Sequence, residues 1–176
     1  MIIFESEKEL EVLLCKELDN GVWIVEDEHV DCWQSQTNLG SHGITDIITS
    51  TVTMDLDENG KEFISSKTLK VIELKITELS YSHLGQISRY KDFFDNMTTE
   101  SDVDEYVLVC KSGDVDRDLM YLAQSLDWLS IYLYEFSLTK GVVFRDFNNW
   151  EEEIDWGKAE VARDKIKAHF FNGGDV

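Results

Sequence analysis

The residues best suited to chemistry are an aspartate and a glutamate–lysine pair set in apolar surroundings. Asp46 lies in the β-branched, alternating run GITDIITSTVTMDL (43–56), and Glu73 and Lys75 lie in VIELKI (71–76). Two carboxylates and a lysine in such strands need an explanation. Charges in apolar strands are costly to bury without partners. The bland alternative is a cross-strand ion pair at a sheet edge. Between the two runs, DENG (57–60) ends in Asn59-Gly60, a strong hairpin signal. With a two-residue turn there, residues 58 and 61 flank it, and the register brings Asp46 opposite Glu73. The strand period of two then puts Lys75 on the same face as Glu73. A bulge in so long a hairpin would shift this register.

The elements around these residues follow from periodicity. Residues 6–19 read as a helix, with Leu10, Leu13, Leu14 and Leu18 in one stripe, Ser6 and Glu9 spaced as a capping box, and Asn20-Gly21 as the stop. Residues 22–33 read as strand and 34–42 as loop. Strands are expected at 43–56 and from 61 to about 77, then a helix over 80–96. On that helix Gln86 and Tyr90, four residues apart, share a face. A buried strand (105–111), a helix (114–127), a strand (128–136), a short edge strand (141–147) and a terminal helix (150–171) complete the chain. The fold class is α/β (α+β): a mixed central sheet flanked by helices. One domain is expected over 1–147, with 148–176 as a helical extension packed on it.

Four pieces, in order, resemble the PD-(D/E)XK nuclease superfamily, and within it the NucS-type and RecB-like endonuclease catalytic domains. They are SEKELE (6–11), GITDII (43–48), VIELK (71–75) and QISRY (86–90), and the likeness runs over roughly residues 5–136. It implies a restriction-endonuclease-like core in the order αβββαβαβ. It also implies a metal-dependent DNA endonuclease or exonuclease that hydrolyses phosphodiesters with metal-activated water. Asp46 and Glu73, with the Leu74 carbonyl, would ligate Mg2+ or Mn2+. Lys75 would orient or help deprotonate the attacking water, or offset phosphate charge. Glu7, or alternatively Glu5, Glu9 or Glu11, would act from the first helix. Gln86 would brace the site, and Tyr90 would touch phosphate or pack beside Lys75. Arg89 and Lys91 are candidate phosphate contacts, and Gln36 could read a base or phosphate or simply hydrogen-bond within a loop. DNA is the implied partner, and double-strand cutting would call for a homodimer.

Composition sets bounds and supplies a competing reading. The 176 residues suffice for one domain with a core. The net charge of −20 repels nucleic acid at long range. It suits a second function class, an inactive nuclease-like fold acting as an acidic DNA mimic or as a module for a basic protein partner. No apolar run reaches the length of a membrane span, and the N-terminal segment turns acidic by its fifth residue, unlike a signal peptide. A cytoplasmic protein is expected, in a cell or a virus-infected host. Cys15, Cys32 and Cys110 read as reduced thiols. His29 and Cys32 make at most half a zinc site. His42 reads as a loop residue, and Trp23 and Trp128 as core. The basic tail carrying Lys158, Arg163, Lys165 and Lys167 could contact phosphates, though docking on the acidic body is the favoured reading.

Overall fold

The computed structural model describes residues 4–20, 30–97, 102–148 and 153–154. Residues 22–29 of the expected strand, the terminal helix apart from 153–154, and Trp23, His29 and the basic tail lie outside them. Helix α1 (Glu7–Asp19) begins at Ser6, whose Oγ accepts from the Glu9 N–H at 3.3 Å. The Glu9 carboxylate reaches one residue further back than a capping box requires, accepting from the Glu5 N–H at 2.9 Å. There follow β1 (Cys32–Asn38), a 3-10 turn (Gly40–His42), β2 (Ile44–Leu56), β3 (Glu62–Leu74), α2 (Tyr81–Asp95), β4 (Asp102–Lys111), α3 (Arg117–Gln124), β5 (Leu129–Ser137) and β6 (Gly141–Asp146), and then a two-residue strand, β7 (Glu153–Ile154).

The strands form one mixed sheet in chain order. β1, β2 and β3 are antiparallel neighbours, β3, β4 and β5 are parallel, and β5, β6 and β7 are antiparallel again. Parallel neighbours need crossovers, which α2 and α3 supply. Consecutive residues of β4 and β5 enter two different cores. On one face Val107, Val109 and Tyr134 meet Leu10, Leu13, Leu14 and Leu18 of α1. On the other, Leu108, Cys110, Ile131 and Leu133 meet Leu84, Ile87 and Tyr90 of α2 and Leu119 and Ala123 of α3. Burial on both faces explains why these strands read as continuous apolar runs. Each fully buried leucine of α1 contributes about 1.5–3 kcal/mol through area removed from water.

Three expectations are corrected. Residues 34–38 belong to β1 rather than to a loop. This strand pairs with β2 from Cys32↔Ser50 to Asn38↔Ile44 at the sheet's edge, and its alternately exposed side chains carry no apolar signal. Second, the Asn59-Gly60 turn is a three-residue loop. The Asp57 N–H donates to the Lys61 carbonyl at 2.9 Å, and Gly60 has φ +76°, which glycine adopts without a Cβ penalty. The one-residue offset this creates is cancelled by a bulge at Ser65, between the pairs Met54↔Ile64 and Thr53↔Ser66. Beyond it the pairing reaches Ile47↔Ile72, the expected register. Third, residues 153–154 are strand, not helix, because the β6 edge offers them a ladder at Arg145 and Phe144. Among the described residues the strand pairing of 51–67 runs across the hairpin, and the Asp31 carboxylate accepts from the Val52 N–H at 2.6 Å.

Candidate active site

The polar cluster lies where β3 ends. Glu73 is 1% exposed, the penultimate residue of a strand otherwise apolar at this end. Its Oε1 accepts from Lys75 Nζ at 2.5 Å and from Gln86 Nε2 at 2.6 Å. Among the described residues its Oε2 is buried without a hydrogen-bond partner. Lys75 follows the strand, its N–H donating to the Val109 carbonyl at 2.8 Å, and its Nζ lies 3.4 Å from Glu7 Oε1 on α1. The site is thus assembled from both helical layers: Glu7 comes from one side of the sheet, Gln86 and Tyr90 from the other.

Helix periodicity aligns the second side. Gln86 Nε2 also donates to the Tyr90 hydroxyl at 2.7 Å, and the Tyr90 O–H donates to the Ile44 carbonyl at 2.6 Å. Two residues before Asp46 the backbone is therefore pinned to α2. Gly43 makes this approach feasible. Its φ is +118°, and a Cβ there would stand 3.2 Å from Tyr90 Cε1.

Asp46 closes the cluster from β2. The regular β2–β3 pairing ends at Ile47↔Ile72, and one step further the Asp46 side chain substitutes for the backbone. Its Oδ2 accepts from the Leu74 N–H at 2.8 Å and its Oδ1 from Gln36 Nε2 at 3.3 Å. Gln36 also donates to Glu11 Oε2 at 2.7 Å, and Glu11 Oε1 takes Lys8 at 2.6 Å.

The electrostatics follow from burial. Desolvation, reinforced by the Asp46 charge and opposed by Lys75 and Tyr90, pushes the Glu73 carboxyl up to about 7. Burial also raises Asp46, against the pull of the Leu74 N–H and Lys75. For Lys75, burial works to lower the pKa, but the bond to Glu73 and the charges of Glu73, Glu7 and Asp46 outweigh it, so the ammonium is held charged.

The structure brings Asp46, Glu73, Leu74, Lys75, Gln86, Tyr90 and Glu7 together. It does not bring in Lys91, which pairs with Asp95 at 2.6 Å and lies over the Tyr106 and Trp128 rings. Arg89 is exposed and bonds the Gly85 carbonyl. His42 sits against Phe93 and Asp92. Trp128 is half-buried beside the core on the α2 face. His83 is buried, near Thr77 and Cys110, and burial and the Lys75 charge hold it below its usual pKa. Sequence reasoning missed the Glu11–Gln36–Asp46 link. Its one legible sign was the four-residue spacing of Glu7 and Glu11, which puts both on one face of α1.

Among the described residues no group of three or more His, Cys, Asp and Glu side chains is arranged to hold a metal ion. The candidate donor set is therefore two carboxylates and one backbone carbonyl, from Asp46, Glu73 and Leu74. It fits a hard divalent cation in one specific respect. Glu73 Oε2 is a buried acceptor that no described residue satisfies, beside a second carboxylate whose charge opposes its own. No protein-family model, no curated protein and no solved structure matches this chain. No helix among the described residues is long and apolar enough to cross a membrane.

Proposed function

We propose that this chain is a Mg2+- or Mn2+-dependent deoxyribonuclease built on a restriction-endonuclease-like core. The observation that carries the reading is the convergence of Asp46, Glu73 and Lys75 at the end of one hairpin, braced by Gln86 and Tyr90. The element order up to β5 agrees with such a core. Asp46, Glu73 and the Leu74 carbonyl would hold the cation. Bound there, it would lower the pKa of a water and stabilise charge developing on the scissile phosphate. In the hydrolysis the water oxygen bonds to phosphorus, one P–O ester bond breaks, and the leaving oxygen takes a proton.

The chain's own groups would do the following. Gln86 holds Glu73 through Oε1, which leaves Oε2 for the cation. Lys75, kept charged by Glu73 and Glu7, offsets phosphate charge or orients the water. Tyr90 ties Gln86 to the Ile44 carbonyl and so fixes the distance between α2 and β2. DNA is the proposed substrate, with action in the cytoplasm and, for double-strand cutting, as a homodimer. The net charge of −20 favours a second reading, an acidic DNA mimic or a module for a basic protein.

Cleavage of labelled single-stranded, double-stranded and branched DNA at low salt with Mg2+ or Mn2+, beside Asp46→Ala, tests the proposal. Metal-dependent cutting lost in the variant is expected. No cutting of any substrate, together with no heat of Mn2+ binding, would overturn it in favour of the binding module.

A further inference from the structure

Gln36 differs from the rest of β1 in its backbone. Among the described residues it is the only non-glycine with a left-handed φ, +53°. Such a conformation is disfavoured for a side chain of this kind and persists only where the surroundings enforce it. Ser35 pairs with Ile47 and Thr37 with Thr45, so Gln36 stands opposite Asp46, where the β1–β2 ladder is interrupted.

Its side chain explains the interruption. Nε2 donates to Asp46 Oδ1 at 3.3 Å and to Glu11 Oε2 at 2.7 Å. Glu11 is 2% exposed and is held in turn by Lys8. A hydrogen-bonded line thus runs from α1 through Gln36 to Asp46 and on to the Leu74 N–H. Both Asp46 oxygens are oriented, one by the β3 backbone and one by Gln36. With both N–H groups donated inward, Gln36 has no side-chain donor left for a phosphate. An amide also suits the place because it orients a carboxylate without setting a positive charge against a cation.

We propose that Gln36 is a positioning residue, which fixes the Asp46 carboxylate for cation binding and ties its orientation to α1. This rests on the reading of Asp46 as a cation ligand. Partners that orient a ligand from outside the metal's own shell are worth about 10–100-fold in affinity.

The test is Mn2+ binding, by calorimetry and by electron paramagnetic resonance of free Mn2+, with Gln36→Asn and Gln36→Gly beside the unaltered chain. Asparagine accepts the left-handed backbone, but its amide is one carbon short. Glycine removes the amide and relieves the backbone. Both changes take the amide from the buried Glu11 carboxylate, so urea midpoints verify that each variant is folded before its Mn2+ affinity is compared. The expected result is Mn2+ affinity about 10–100-fold weaker in both variants, with DNA cleavage restored at saturating Mn2+. Unaltered Mn2+ affinity in both folded variants would overturn the role of Gln36 alone. No Mn2+ binding by the unaltered chain would overturn the cation reading, and this inference with it.

Discussion

Replacing Glu73 with glutamine isolates the energetic consequence of burying a carboxylate at the end of β3. The folded-state pKa of about 7 stands above the ordinary 4.5. Between those values the folded chain holds a proton that the unfolded chain has released, so stability falls as pH rises. The contribution of Glu73 is fully present below 4.5 and is lost through 7. Each pH unit in that window is worth about 1.4 kcal/mol, so from pH 5 to 8 the loss is about 2.5 kcal/mol. The Glu73→Gln variant lacks the titration and keeps the shape. The assay is urea unfolding of both proteins from pH 5 to 8 in a chelator, read as the difference between them. That difference removes the general effect of the −20 charge, which both proteins share apart from the substituted group. The unaltered protein should lose about 2.5 kcal/mol relative to the variant, or about 5–10 °C in Tm for a domain of this size. A difference that stays flat across the range would refute the reasoning, because Glu73 would then titrate as an ordinary carboxyl.

Lys75→Ala should abolish cleavage. It should also push the Glu73 carboxyl further up and destabilise the fold increasingly as pH rises above 7, by up to about 3–5 kcal/mol where Glu73 is ionised without its cation; paired urea and cleavage measurements check both. Gly43→Ala should cost about 1–3 kcal/mol in urea unfolding through its +118° φ. Its Cβ, 3.2 Å from the Tyr90 ring, should also loosen Gln86 and lower the cleavage rate.

The parts of this fold that were legible in the sequence are those whose side chains carry the burial. The leucine stripe of α1 and the apolar runs of β4 and β5 declare themselves because they face packed cores. β1 does not, because an edge strand with half its side chains in solvent reads as polar loop. The grouping of Asp46, Glu73 and Lys75 is read from a two-residue turn the chain does not form, and it holds because the bulge at Ser65 restores the register; Gln86 and Tyr90 were legible from helical spacing. The role of Gln36 was not, because it depends on a backbone angle and on how α1 lies against β1. Lys91 shows the limit of proximity in sequence. Five positions beyond Gln86 is about 140° around a helix, which carries the ammonium away from the cluster and over two aromatic rings.

The loop at Gly60 and the bulge at Ser65 act as a pair of opposed displacements, like the two scales of a vernier. The tip of the hairpin shifts the two strands by one residue, and the bulge returns them before the sheet begins. The alignment at Glu73 therefore belongs to the whole length of the arm rather than to its turn. Residues added in cross-strand pairs would lengthen the hairpin and leave Glu73 facing α2. A single residue added without a second bulge would turn Glu73 toward the leucines of α1 and Leu74 toward Gln86. The arm can thus vary in reach and in the side chains it displays, provided its offsets still sum to nothing where β1 and β4 take up the pairing.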